Sequence, residues 1–331
     1  MSEIFKYHGD IEWSLPLMFQ YEPVFAKIAY SFDRFGLTLP PCNLYGSPAN
    51  IWAGGRVPAI HEKFTPEMLT KIFEYVKSFG ATPTYTFTCS QVEKEDLNDK
   101  YANMLLDVGA EYGARFIVFS DMLKDYIKNK YPSAICVASV VKPALRFQGA
   151  TKEEEPTVEN ETNYYNKLLK EYDVVVVRPE YSMDVLVDFP DYLDDISRVE
   201  VLINQACAYN CPKMPDHYRA FEMQRINTNM RINFECIQKN RPAIRNFKEN
   251  VLHTKEMTQK LIDNGVRHLK LQGRGVGSSA TYIASCMLYQ MINGDGKAYF
   301  IYSQVDDKSL DEQYKKFREY IGDVAKEVQN V

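Results

Sequence analysis

The chain has 331 residues, 45% hydrophobic and 25% charged, which is enough apolar material to bury a sizeable core. Its formal net charge of −5 lacks the pull toward phosphate backbones that nucleic-acid binders use, so nucleic acid is disfavoured as a partner. No run approaches the ~18 apolar residues of a membrane span, and the opening MSEIFKYHGDIEW shows no basic start followed by an apolar run, so a cytoplasmic, reducing setting is expected.

In chain order, Phe35 to Leu39 reads as a strand running into the loop PPCNLYGSPANIWAGGR. Thr65 to Ser78 reads as a helix, with Thr65 as N-cap, Pro66 in the first turn, and Leu69, Ile72, Phe73 and Val76 on one face. Thr84 to Thr88 is β-rich, Lys94 to Tyr112 helical, Arg115 to Phe119 a strand, Asp121 to Lys130 a helix and Ala134 to Ala138 a strand. The polar stretch 142–157 reads as a surface insertion. A helix over Glu159 to Glu171 leads into Asp173 to Val177, a continuous β-branched run of the kind buried on both faces. Val199 to Asn204 is a further strand, and 205–252 is irregular apart from a weak strand near Val251. Thr254 to Asn264 is a helix stopped by Gly265, and His268 to Leu271 is the last strand. Helices are expected over Ser278 to Met291 and Asp311 to Val328.

This alternation predicts an α/β fold, a (β/α)8 TIM-like barrel in one domain over 1–331. It carries an irregular cysteine-bearing insertion and a C-terminal helix. An open doubly wound sheet is the competing arrangement for the same pattern.

Seven cysteines in a reducing compartment are read as thiols or ligands rather than disulfides. Cys136 and Cys286 sit in apolar patterns and read as core residues. In NQACAYNCP, Cys207 and Cys211 directly follow the strand VEVLI, on what would be the catalytic face of a barrel, and Cys236 follows in NFECIQ. Three thiolates brought together at a strand end suit an iron–sulfur cluster or another soft metal. Zinc is the alternative, with His217 completing a Cys3His set. A four-iron cluster asks for a fourth ligand: Cys42 is the first choice and Cys89 the reserve.

Two further features concern binding. HLKLQGRGVGSSATYI (268–283) ends a strand in a glycine-rich turn opening a helix. Gly273, Gly275, Gly277 and Ser278 there are candidates to hold an anion through backbone N–H groups, with Lys270 and Arg274 adding charge. An ordinary capped turn explains the same residues. In NIWAGGR (50–56), Trp52 is a candidate stacking surface and Arg56 a candidate carboxylate binder. The alternative is a structural Trp covering the barrel mouth. The chain contains neither a G-x-S-x-G elbow nor an H-E-x-x-H helix.

GVRHLKLQGR (265–274) resembles the G-V-x-x-L-K-I-E-G-R signature of the collagenase-like peptidases, the U-type family numbered thirty-two, with Gln272 where that family usually has Glu. LINQACAYNCP (202–212), residues 161–184, and the stretches 37–56 and 64–87 resemble segments of the same family. The resemblance implies a β/α barrel with a [4Fe-4S] cluster. Members hydroxylate tRNA, ribosomal RNA or ubiquinone precursors without dioxygen, several with prephenate as oxygen donor; others carry a peptidase label. Carried over by position, Cys207, Cys211 and Cys236 match cluster ligands and Lys270 and Arg274 the basic pair. The short members work as heterodimers. The expected reaction is oxygen-independent hydroxylation of a small or carrier-bound substrate. A metal- or cysteine-dependent hydrolase, and a non-catalytic cluster subunit beside a second barrel, are the alternatives.

Overall fold

The computed structural model describes residues 10–16, 18–19, 39–57, 63–149, 152–227, 230, 232–236 and 250–272, together with Ile283, Met287 and Gln290. Its strands are β1 Glu12–Pro16, β2 Cys42–Gly46, β3 Thr82–Phe87, β4 Arg115–Val118, β5 Cys136–Ala138, β6 Val174–Val177, β7 Val199–Leu202, β8 Asn204–Ala208, β9 Asn250–Leu252 and β10 His268–Lys270. β1 to β7 and β10 form a closed parallel barrel, while β8 and β9 make a separate antiparallel pair. Closure comes from β1 against β10, with Glu12 opposite His268 and Ser14 opposite Lys270. The closed ladder excludes the open doubly wound sheet.

Strand alternation divides the barrel into two cores. Trp13, Leu15, Leu44, Tyr85, Phe87, Phe116, Val175, Val177, Val201 and Leu269 belong to the large apolar cluster shared with the helices. The alternate residues Tyr45, Ile117, Val137, Val174 and Val176 form a second, smaller cluster. Polar residues of the same register complete it: Glu12, Ser14, Asn43, Glu200, His268 and Lys270 bond to one another across β1, β2, β7 and β10. The lumen is thus apolar on one side and ionic on the other.

The helices follow local signals. They are α1 Pro66–Ser78, α2 Lys100–Glu111, α3 Asp121–Lys130, α4 Val141–Phe147, α5 Val158–Glu171, α6 Met214–Glu222 and α7 Lys255–Asp263. Thr65, Asp99, Ser120, Thr157 and Thr254 each accept a backbone N–H of the first turn of α1, α2, α3, α5 and α7. Leu69, Phe73 and Val76 are the buried face of α1, as the spacing predicts.

Five expectations are corrected. The stretch 205–252 is not irregular throughout, since it holds most of β8 and all of α6. The eighth barrel strand is Glu12–Pro16, not the segment at Val251, which pairs with β8 instead. CNLYG is strand β2 rather than loop: Asn43 and Tyr45 point into a lumen that supplies hydrogen-bond partners, so polar residues there do not signal a turn. The helix expected over Lys94 to Tyr112 is broken, because Asp99 caps α2 and a 3-10 turn, Glu95–Asn98, precedes it. The stretch 142–157 is not simply a surface insertion, since Val141–Phe147 is a helix with Lys142, Ala144 and Phe147 buried. Most of 278–291 and all of 311–328 lie outside the described residues. Among the described residues no helix is long and apolar enough to cross a membrane.

Candidate active site at the barrel mouth

A cleft opens at the C-terminal ends of the barrel strands, with Arg56, Tyr218, Lys270 and Tyr45 among its lining residues. This is the end at which β/α barrels carry their chemistry, because the βα loops converge there. Its lining is mixed, with apolar Ile117, Leu202 and Val141 and polar Thr86, Ser139 and Gln272.

The floor is an ordered charge pair. Lys270 Nζ lies 2.7 Å from Glu200 Oε2, with side chains 8% and 5% exposed. Ser14 Oγ donates to the other carboxylate oxygen, and Asn43 Nδ2 donates to Ser14 Oγ at 2.7 Å. The ammonium also sits 4.5 Å from the centre of the Tyr45 ring, a cation–π contact. Tyr45 is itself oriented by its hydroxyl, which donates to the Leu271 carbonyl at 2.7 Å. Lys270 is therefore a fixed cation bordering the cleft.

The rim is built around Arg56. Gly55 has φ +78°, and a Cβ there would lie 1.8 Å from the Phe221 carbonyl oxygen, so only glycine lets this loop touch α6. Arg56 itself has φ 54°. Its guanidinium lies 4.6 Å from the Phe221 ring centre and donates to His217 Nε2 at 2.9 Å. His217 must then be neutral and accepting at Nε2. Burial first, and the Arg56 charge second, hold its pKa down at about 3. The imidazole stacks 4.8 Å from Phe234, which brings the segment holding Cys236 against α6. At its other end α6 is tied down by Glu222, which accepts from the Ser90 N–H and hydroxyl, both at 2.8 Å.

The Cys207–Cys211 turn is clamped from the segment following β6. Asn210 adopts φ 47°; its N–H donates to Glu180 Oε1 at 3.0 Å and its Oδ1 accepts from Arg178 Nη1 at 3.2 Å. Arg178 is held bidentately by Glu161, with Nε and Nη2 both at 3.0 Å. Tyr209 donates to Asp184. Cys207, Cys211 and Cys236 are not in disulfides. Burial pushes the Cys207 thiol up to about 12, against the lowering field of Arg56, and charges on Cys211 and Cys236 raise it further. Burial also raises Cys211, which feels Cys236 as well. Cys207 and Cys211 bracket one turn, and Cys236 lies two residues beyond Phe234, which stacks on the His217 that bonds Arg56.

The remaining candidates are placed elsewhere. Cys42 begins β2, at the N-terminal end of the barrel, where its neighbouring charge is Glu12; burial raises it to about 12. It cannot join cysteines at the mouth, and the reason is register: a residue that opens a strand lies a barrel's height from one that follows a strand. Cys89 lies past β3 at the mouth, but its surrounding charges are Glu222, Arg225 and Asp96. Trp52 is fully buried, donates to the Asp96 carbonyl at 3.0 Å and packs edge-on to Phe87, so it is a structural residue and not a stacking surface. Gly273, Arg274, Gly275, Gly277, Ser278 and Cys286 lie outside the described residues.

Sequence reasoning passed over Glu200, Ser14, Tyr45, Tyr218, Arg178 and Glu180. Three of these carried a readable signal. Glu200 is a charge inside the apolar strand VEVL, and Arg178 and Glu180 follow the DVVVV strand at once, where a barrel presents its site residues.

No protein-family model matches the chain, and no curated protein matches it. Among solved structures it is similar to a U32 peptidase, at 11% identity over 83% of this chain and 95% of that one, with a TM-score of 0.48. It is also similar to the spore cortex-lytic enzyme SleL of Bacillus megaterium QM B1551, at 11% identity over 86% and 74% and a TM-score of 0.40. A D-psicose 3-epimerase gives 8% identity over 94% and 98% and a TM-score of 0.40. These likenesses assign no reaction, and the barrel itself rests on its own closed strand ladder.

Proposed function

We propose that the barrel mouth is the active site of an iron–sulfur enzyme acting on a small organic anion. The observation that carries this reading is that the cleft bordered by Arg56 and Lys270 lies beside the Cys207–Cys211 turn that follows β7, with the Cys236 segment held there by Phe234 stacking on His217, the partner of Arg56. Lys270 and Arg56 would attract and orient an anionic group, and the side chains of Ile117, Leu202 and Val141 would exclude water from the remainder. Glu200 holds Lys270 at the floor.

By donor type alone, thiolates suit an iron–sulfur cluster or another soft metal. Zinc needs every sulfur ~2.3 Å from one centre. Among the described residues no three His, Cys, Asp or Glu side chains are gathered tightly enough to grip one ion. In a four-iron cluster each cysteine binds its own iron, so the sulfurs stand further apart. Cys207, Cys211 and Cys236 would hold it, and His217, with Nε2 given to Arg56, is not needed. When bound, the cluster supplies electron transfer or Lewis acidity next to the cleft. Oxygen-independent hydroxylation, implied by the family resemblance, uses both features.

Anaerobic reconstitution followed by iron and sulfide analysis tests the proposal. The expected product is a brown protein with about four irons and four sulfides per chain, lost when Cys207, Cys211 and Cys236 are replaced together by Ala. A colourless, iron-free protein refutes it, and one zinc without sulfide favours a hydrolase. Activity appearing only with a second barrel protein would make this chain one subunit of a pair.

A further inference from the structure

Two cations border the cleft, and the protein compensates only one of them. Lys270 Nζ lies 2.7 Å from Glu200 Oε2, with side chains 8% and 5% exposed. Ser14 fixes Glu200 in turn, and Asn43 fixes Ser14. The pair therefore meets the cleft with no net charge. An anion drawn to Lys270 would also face the Glu200 carboxylate. Pulling the ammonium away would leave that carboxylate buried and unpaired, which is the costly way to break such a pair.

Arg56 has no such partner. Arg115, Arg146, Arg178 and Arg198 each pair with a carboxylate. The Arg56 guanidinium instead donates to His217 Nε2 at 2.9 Å, and an imidazole that accepts there carries no charge. Its other neighbours are aromatic, with the Phe221 and Tyr218 ring centres 4.6 Å and 5.9 Å away. Among the described residues no carboxylate bonds to it. Its backbone has φ 54°, a region that residues other than glycine rarely adopt. The preceding Gly55 is packed against the Phe221 carbonyl, so the loop holds the side chain at the cleft. A guanidinium fork matches one carboxylate in two parallel hydrogen bonds. Ile117, Leu202 and Val141 line the same cleft and suit an apolar skeleton.

We propose that the cleft selects a monocarboxylic acid with an apolar skeleton, its single carboxylate on Arg56, and discriminates against a dianion because Glu200 already compensates Lys270. The assignment rests on the reading of the mouth as a small-anion site, and not on the cluster.

The test is calorimetric titration of the anaerobically reconstituted full-length chain at constant ionic strength. The ligands are isovalerate, neutral isovaleramide, and isopropylmalonate, which adds a second carboxylate to the isovalerate skeleton. Isovalerate should bind at least about 10-fold more tightly than either of the others. Arg56→Gln should abolish its advantage over the amide, and Arg56→Lys, which keeps the charge but not the fork, should fall between. Glu200→Gln leaves Lys270 uncompensated and should raise the affinity for isopropylmalonate relative to isovalerate by at least about 10-fold. A merely structural Glu200 would weaken both ligands alike, and this ratio stays readable if Arg56→Gln does not fold. Isopropylmalonate binding to wild type as tightly as isovalerate, or Arg56→Gln keeping the preference over the amide, overturns the assignment and leaves the small-anion reading intact. No binding of any of the three overturns both. A chain that takes up no iron yet shows the expected pattern supports the assignment and removes the cluster alone.

Discussion

The ion pair behind the cysteine turn offers the sharpest test of how this mouth is held in shape. Arg178 and Glu161 have side chains only 3% and 4% exposed. Glu161 receives Nε and Nη2 of Arg178, each at 3.0 Å, and the Tyr165 hydroxyl at 3.1 Å. Glu161→Gln keeps the volume but removes the charge and turns an N–H2 group toward a guanidinium that can only donate. Breaking a buried pair on one side costs about 3–5 kcal/mol, because the remaining charge stays buried without compensation. The double variant Glu161→Leu/Arg178→Met removes both members of the pair but leaves buried Glu180, on which the Arg178 charge also acts, and the Asn210 and Tyr165 polar atoms short of partners, so roughly 1–3 kcal/mol of cost should remain. Urea unfolding of wild type, both single variants and the double gives the coupling energy directly. A loss below about 1 kcal/mol for Glu161→Gln would mean the pair behaves like a solvated surface bridge, and the argument that burial makes it a rigid clamp would fail.

Three further outcomes are expected. At the N-terminal end of the lumen, burial alone would raise the Glu12 pKa, but hydrogen bonds from His268 and Arg115 and their charges bring it down to about 2. Its folded value is depressed, so its stabilisation is complete above pH ~4.5 and is lost as pH falls toward 2; it amounts to at most about 3 kcal/mol, and Glu12→Gln should flatten acid unfolding in that window. Lys270→Met strands the buried Glu200 carboxylate and should cost about 3–5 kcal/mol in urea unfolding, with part of the loss recovered in Lys270→Met/Glu200→Gln because a neutral amide needs no cation. Gly55→Ala places a methyl 1.8 Å from the Phe221 carbonyl at φ +78°; it should cost more than about 1 kcal/mol and, by lifting α6 from the rim, speed the reaction of Cys207 with a thiol reagent, whereas an unchanged rate would argue that α6 does not depend on this contact.

Much of the architecture was readable because its signals are local. A helix start depends on a side chain two or three residues upstream, and Thr65, Ser120, Thr157 and Thr254 act as such caps. β6 announced itself as an unbroken β-branched run. β1 and β2 were hidden for the opposite reason. Their inward residues, Glu12, Ser14, Asn43 and Tyr45, are polar, and they become acceptable strand residues only once the lumen provides Arg115, Glu200 and Lys270 as partners.

The cysteine site divides in the same way. The position of Cys207 and Cys211 just past an apolar strand was enough to place them at the barrel mouth. Cys236 arrives there through stacking of Phe234 on His217, a contact between side chains whose pattern carries no periodic signal. Cys42 was misassigned because strand boundaries, and not residue type, decide which end of a barrel a side chain occupies.

From its residue order alone this chain specifies alternating strands and helices, their caps and a cysteine-bearing excursion after β7, since those depend on neighbours within a turn or two. Folding in three dimensions decided which strand closes the ring and which charges meet inside it. Those pairings join residues far apart in the chain, as in Ser14 with Glu200, and the burial that makes them strong exists only after the ring has closed.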